Sequence, residues 1–170
     1  MKSIVDPFCS WHSQLQDTLS TSLSVVYIIP ILCYGYTLNF QHLFIWIGII
    51  LTTCISEFIK YAVIGKRSLR PIGARDCNLF CTDGPCEHEP GMPSSHSAIV
   101  VYVACSYIAY LTYAQYPLIT IGLVMYAFLV MLSRYLKRCH TIYQIGAGAI
   151  LGVSLYTFFR TSINFLGTFF

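Results

Sequence analysis

The sequence predicts an all-α integral membrane protein, a helical bundle of about five transmembrane helices behind an N-terminal interfacial helix. Three observations predict it. Of 170 residues, 56% are hydrophobic and only 10% are charged, and the mean hydropathy is +0.64, outside the soluble range. The charges are segregated: none lies between Asp17 and Glu57, none between Glu89 and Arg134, and only Arg160 follows Arg138. Each gap can hold helices of about 20 residues, the length that crosses roughly 30 Å of hydrocarbon. Composition and size fit one domain in a lipid bilayer, and a net charge of +3 arranged in this way gives no reason to expect nucleic acid as a partner.

Residues 1–18 read as an interfacial segment, with Asp6 as N-cap, Pro7 at the first helical position, and Phe8, Trp11 and Leu15 on one face. A cleavable leader is not expected, because the first 18 residues lack a basic start, a short apolar run and a small-residue cleavage site. The first span is expected near 19–38 and includes Pro30, which a bundle tolerates. Asn39 and Gln41 mark a turn before the second span, near 42–64. Glu57 and Lys60 lie one helical turn apart at its end, and ionisable groups at that depth are paired or functional. Residues 65–92 form a loop rich in charge, Gly and Pro. The third, fourth and fifth spans follow near 93–113, 117–132 and 141–159, and Gly146, Gly148 and Gly152 in the last permit close helix packing.

Counting crossings makes a site. The second span ends, the third begins, the fourth ends and the fifth begins on one face, so Lys60, Arg67, His96, Arg134 and His140 converge there. His96 stands in Gly91-Met92-Pro93-Ser94-Ser95-His96, where a polar loop gives way to a segment without formal charge. Small residues leave backbone N–H groups accessible at the start of that helix, whose N-terminus attracts anions. The ligand chemistry is phosphate.

Three clusters carry the pattern: Lys60, six residues, then Arg67; Pro93-Ser94-Ser95-His96; and Ser133-Arg134, five residues, then His140. Over about residues 57–152 the chain resembles the type 2 phosphatidic acid phosphatase superfamily, whose motifs are Lys, six residues, Arg-Pro; then Pro-Ser-Gly-His; then Ser-Arg, five residues, His, three residues, Asp. The resemblance implies a lipid phosphatase domain over residues 19–170 with 65–92 as its active-site loop. Lys60, Arg67, Arg134, Ser94 and Ser95 would then hold phosphate, His140 would be the nucleophile, and His96 the acid for the leaving oxygen. The residue chemistry agrees, since in-line attack on phosphorus needs cations on the equatorial oxygens and a positioned proton donor.

The chain departs from the pattern in three places. Arg67 is followed by Ser68, and Arg-Pro occurs three residues later as Arg70-Pro71; strict spacing favours Arg67, with Arg70 as a second phosphate contact. Ser95 replaces the usual Gly. Gln144 stands at the usual Asp, where it is expected to accept the His140 ring N–H and fix its tautomer. Gln144 and the Gly-Met-Pro-Ser-Ser-His-Ser stretch resemble the dolichyl diphosphate phosphatase branch, which implies a polyprenyl diphosphate substrate. The alternatives are a phosphatidate or sphingoid-phosphate phosphatase, a non-catalytic lipid-phosphate binder, and a transporter built on Glu57 and Lys60.

No cofactor and no metal are expected: the positive charge comes from Lys and Arg, and Cys77, Cys81, Cys86 and His88 lack the spacing of a zinc knuckle. Disulfides among Cys9, Cys77, Cys81, Cys86 and Cys139 would mark a lumenal or extracellular face. The excess of Lys and Arg on the catalytic side argues for the cytoplasm. The resemblance implies the lumen of the endoplasmic reticulum, which is preferred because phosphate binding accounts for part of that excess.

Overall fold

The computed structural model describes residues 7–111 and 115–167. Within them the chain is helical, with isolated antiparallel bridges in the loop and no strand. Asp6 and the side chains of Phe8 and Trp11 lie outside the described residues.

Helix α1 (Pro7–Thr21) passes into α2 (Leu23–Thr37) across Ser22, which keeps helical dihedrals. The break has a local cause. Thr18, Thr21, Ser22 and Ser24 all donate their hydroxyls to carbonyls three or four residues back, a competition that bends helices. Ser13–Thr37 is long and apolar enough to cross a membrane, and the α1–α2 boundary at Ser22 falls inside it.

Helix α3 (Phe40–Phe58) starts at Asn39, whose side chain accepts the Gln41 N–H at 2.9 Å. It continues as a π-helical turn, Ile59–Ile64, and a 3₁₀ turn, Gly65–Arg67. The wider turn carries more residues per revolution, so Lys60 faces inward at 4% exposure while Tyr61 and Val63 face out. Gly65, at φ +53°, then reverses the chain in a conformation that a side chain would strain.

Helix α4 (Ser95–Leu111) is the centre of the bundle, packed by α2, α3, α5 (Pro117–Leu136) and α6 (Ile142–Gly167). Four helical stretches are long and apolar enough to span a bilayer; the expected third span, at 17 residues, falls short of that length. At 1.5 Å per residue α4 covers about 25 Å. Enclosure explains its residues: nearly its whole first half is buried, including His96, Ser97 and Tyr102.

Two glycines allow α6 to reach α4. A Cβ at Gly148 would lie 2.3 Å from the Ser94 carbonyl oxygen, and one at Gly152 2.4 Å from that of Ala98, whereas at Gly146 it would meet nothing within 4 Å. The small-residue packing expected of Gly146, Gly148 and Gly152 is therefore made by two of the three.

Residues 68–91 fold back over one end of the bundle as a cap. Arg70 N–H donates to the Glu89 carbonyl at 3.0 Å, Gly91 N–H to Ser68 at 2.8 Å, and Cys86 N–H to Ala74 at 2.9 Å. A disulfide joins Cys77 to Cys139, with Cα atoms 5.5 Å apart. Lys137 Nζ adds bonds to Asp17 Oδ1 at 2.5 Å and to the Asp76 carbonyl at 3.0 Å, so the cap, α1 and α5 are tied at one point.

In detergent, Gly148→Ala and Gly152→Ala are each expected to lower the thermal unfolding midpoint, since overpacking costs about 1–3 kcal/mol. Gly146→Ala should not lower it. Equal effects at all three positions would contradict this packing.

Candidate active site

The end of α3, the start of α4, the turn between α5 and α6, and the cap enclose a cavity of 440 Å³. Lys60, Arg70, Ser95, His96 and His140 line it, with Leu23, Tyr27 and Ile99 forming an apolar side. Lys60 and His140, 80 positions apart, thus meet, as the counting of crossings requires.

Lys60 Nζ donates to Glu57 Oε1 at 2.6 Å and to Ser95 Oγ at 2.7 Å, and Ser95 Oγ donates in turn to Glu57 Oε1. The Glu57–Lys60 pair read from sequence is present. Arg70 is buried, with its guanidinium 3.6 Å from Glu89 Oε2 and 3.6 Å from Cys86 Sγ. Burial raises the Cys86 thiol above its ordinary pKa, which disfavours a thiolate there. Arg67 is exposed on the outer side of the 3₁₀ turn and does not line the cavity.

Arg134 has no solvent exposure. Its guanidinium donates to Ser20 Oγ at 2.7 Å and to the Cys77 carbonyl. Its own carbonyl accepts the N–H groups of Cys139 at 3.0 Å and His140 at 3.3 Å, which folds the chain back and turns His140 inward.

Burial holds the His140 imidazole well below its ordinary pKa of 6.5, and the charges of Arg134, Arg70 and Lys60 push it the same way. The Gly91 carbonyl acts weakly in the opposite sense, although Nδ1 has no partner in hydrogen-bonding geometry. His140 is a neutral base near neutrality. Six buried side-chain polar atoms lack a hydrogen-bond partner among the described residues, and four of them are here: Arg70 Nε, Arg134 Nε, His96 Nε2 and His140 Nδ1. Unsatisfied buried groups gathered in one cleft are a mark of function more than of packing.

Ser94 lies behind the cavity wall. It is fully buried, and its hydroxyl accepts from the Ser97 N–H at 3.5 Å, a cap for α4, and from Ser97 Oγ at 3.0 Å. Its N–H donates to the Gln144 carbonyl at 3.0 Å.

Gln144 does not hold His140. Its Oε1 accepts the Thr141 N–H at 3.1 Å, and its Nε2 donates to Ser68 Oγ at 3.0 Å and to the Leu69 carbonyl at 2.9 Å. With the Ser94 bond, one residue joins the cap just before Arg70, the start of α4 and the turn after His140. A Cβ at Gly91 would lie 2.7 Å from Gln144 Nε2, so that glycine makes room for the amide.

Two imidazoles, three buried cations and one cavity can bind and transfer a phosphoryl group. A family model described as the PAP2 superfamily matches residues 41–167. The chain belongs to the PAP2 superfamily. No curated protein and no solved structure matches it. PAP2 membership implies phosphatase activity on lipid phosphates, hence a hydrolase in a membrane setting, in keeping with the apolar helices.

Against the PAP2 pattern, each departure acquires a physical account. Arg70 of the Arg-Pro dipeptide lines the cavity, whereas Arg67, which fits the strict spacing, lies exposed after the π turn and Gly65. Ser95 in place of Gly supplies a hydroxyl that bridges Lys60 and Glu57. Gln144 in place of Asp supplies an N–H donor for the Leu69 carbonyl, which a carboxylate lacks. Sequence reasoning missed Ser20 and the Cys77 carbonyl as partners of Arg134; both lie far along the chain, and neither carries a motif.

For hydrolysis of a lipid phosphate, Arg70→Ala should lower kcat/KM by about a hundredfold or more, the scale of a lost charged contact to phosphate. Arg67→Ala should change it by less than about threefold; the reverse order would restore the spacing argument. Gln144→Asp, which returns the commoner PAP2 residue, should lower kcat/KM by about ten to a hundredfold, because alignment is lost. Unchanged or raised activity would show that the carboxylate reaches His140.

Proposed function

We propose that the chain hydrolyses a polyprenyl diphosphate of the dolichyl type to the monophosphate and inorganic phosphate, through a phosphohistidine at His140. The observation that carries the reading is the set of unpartnered buried nitrogens on Arg70, His96 and His140, all lining one cavity, with that of Arg134 buried outside its wall. A diphosphate supplies acceptors for those donors. Cations face it from two directions, Lys60 and Arg70 from the side of α3 and the cap, and Arg134 from behind the histidines.

In this reading neutral His140 attacks the terminal phosphorus, an N–P bond forms, and the bond from phosphorus to the bridging oxygen breaks. His96, carrying a proton while the diphosphate is bound, gives it to that oxygen as the lipid monophosphate departs and is left neutral. Water then attacks the phosphohistidine, His96 takes up its proton, the N–P bond breaks, and inorganic phosphate leaves. Lys60, Arg70 and Arg134 neutralise the equatorial oxygens throughout, so the positive charge is supplied by side chains without a metal or other cofactor. Gln144 is a positioning residue, and Ser94 sets the start of α4 against α6. The apolar side at Leu23, Tyr27 and Ile99 would take the first part of the lipid tail.

The Cys77–Cys139 disulfide supports a catalytic end in an oxidising compartment, the lumen of the endoplasmic reticulum. Several basic residues of that end are internally engaged, Lys60 with Glu57, Arg70 with Glu89 and Lys137 with Asp17, which weakens positive-inside counting as an argument for the cytoplasm. One observation favours the non-catalytic alternative: no carboxylate bonds the His140 ring among the described residues. Turnover separates the two.

The deciding experiment is phosphate release by the purified protein from dolichyl diphosphate, phosphatidate and a sphingoid phosphate, each with and without EDTA. Faster release from the diphosphate, undiminished by chelator, is the expected result. Preference for phosphatidate would overturn the substrate, loss restored by magnesium would overturn the metal-free chemistry, and saturable binding without release would favour the binder.

A further inference from the structure

The end of the bundle away from the histidines holds a second cavity, of 310 Å³, where the start of α3 meets the ends of α4 and α6. Its depth depends on Tyr102, whose ring fits against Gly48; a Cβ there would lie 1.7 Å from the Tyr102 hydroxyl oxygen. Phe44, Ile45 and Phe159 make the wall apolar on one side, while Gln41, Tyr110 and Arg160 bring polar groups to the other.

Arg160 is the feature that needs an account. Among the described residues its hydrogen bond is to the Tyr156 hydroxyl, at 3.2 Å from Nη1, which leaves most of its five N–H donors open there. No Asp or Glu side chain supplies a counter-charge, because none occurs between residues 18 and 56 or after residue 89, and those ranges contain the parts of α3, α4 and α6 that form the cavity. A guanidinium at the edge of a half-apolar pocket, without a carboxylate, is arranged for an external anion.

Height along the bundle identifies the anion's source. Arg160 lies 18 residues beyond Ile142 on α6, about 27 Å at 1.5 Å per residue, close to the roughly 30 Å thickness of hydrocarbon. It therefore stands at the headgroup level of the leaflet opposite the catalytic cavity, with Tyr110 and Tyr156 placed as interfacial tyrosines are. A free phosphate ion would match Arg160 and leave the side at Phe44 and Phe159 unmatched; a lipid matches both.

We propose that this cavity is a second lipid site, in which Arg160 binds the phosphate of an anionic phospholipid from the leaflet opposite the catalytic cavity. The site is separate from the reaction and does not depend on the substrate assigned to the first cavity.

The test uses the full chain in phosphatidylcholine nanodiscs carrying a small fraction of photoreactive phosphatidylglycerol, with cross-linked peptides mapped by mass spectrometry. Labelling is expected on the peptides around Gln41–Ile45 and Tyr156–Arg160. It should fall by about tenfold in Arg160→Gln, the worth of a charge-assisted bond, and be largely kept in Arg160→Lys. Catalytic turnover should stay unchanged in both variants. Equal labelling of the same peptides by photoreactive phosphatidylcholine in the wild-type chain would overturn the anion assignment, and this arm needs no variant. Competition by excess inorganic phosphate would show a free-ion site and overturn the lipid assignment. Absence of label at these peptides, or no change in Arg160→Gln, would overturn the site itself.

Discussion

Arg134 has no solvent exposure, and a buried guanidinium costs several kcal/mol unless acceptors surround it. The acceptors come from distant parts of the chain. Ser20 reaches it from the bend between α1 and α2, and the Cys77 carbonyl reaches it from the cap. Cys77 is in turn bonded to Cys139, and the Arg134 carbonyl receives the N–H groups of Cys139 and His140. One cation therefore draws the cap down, fixes the first helices against α5, and aims the residue read as the nucleophile.

Each of the other buried cations has a partner that can give way. Lys60 is nearly buried, yet the Glu57 side chain that holds it is 40% exposed; Arg70 is nearly buried, and its Glu89 is 49% exposed. On the proposed reading an arriving phosphate would compete with carboxylates that can turn to solvent, so the desolvation cost of the cations would be met in both states. Burial, with the charges of Arg134, Arg70 and Lys60, holds the neighbouring His140 imidazole neutral. Gln144 holds the three segments bearing these groups in register through neutral bonds, adding no charge beside the histidine.

The bundle was legible because hydrocarbon imposes long uncharged stretches, and the charge gaps mark them without any knowledge of packing. Convergence of the motifs was legible for the same reason, since parity of crossings decides which helix ends share a face. Other features left no trace in composition or spacing. The π turn at Ile59–Ile64 changes the register between Lys60 and the arginines, so that counting chose Arg67 where the fold buries Arg70. Gln144 could be located but not read, because its partners Ser68 and Leu69 belong to a loop whose path is set by long-range contacts. The shorter α4 reflects enclosure by four neighbours, which periodicity cannot express.

On the proposed mechanism a phosphoryl group passes to His140 in the cavity that Lys60, Arg70, His96 and His140 line. Rapid quenching of the enzyme with a polyprenyl diphosphate carrying ³²P on its terminal phosphate, followed by peptide mapping under alkaline conditions, tests it most directly. The account predicts acid-labile label on the peptide containing His140, absent from His140→Ala. Turnover with no labelled protein, or label on the peptide containing His96, would contradict it.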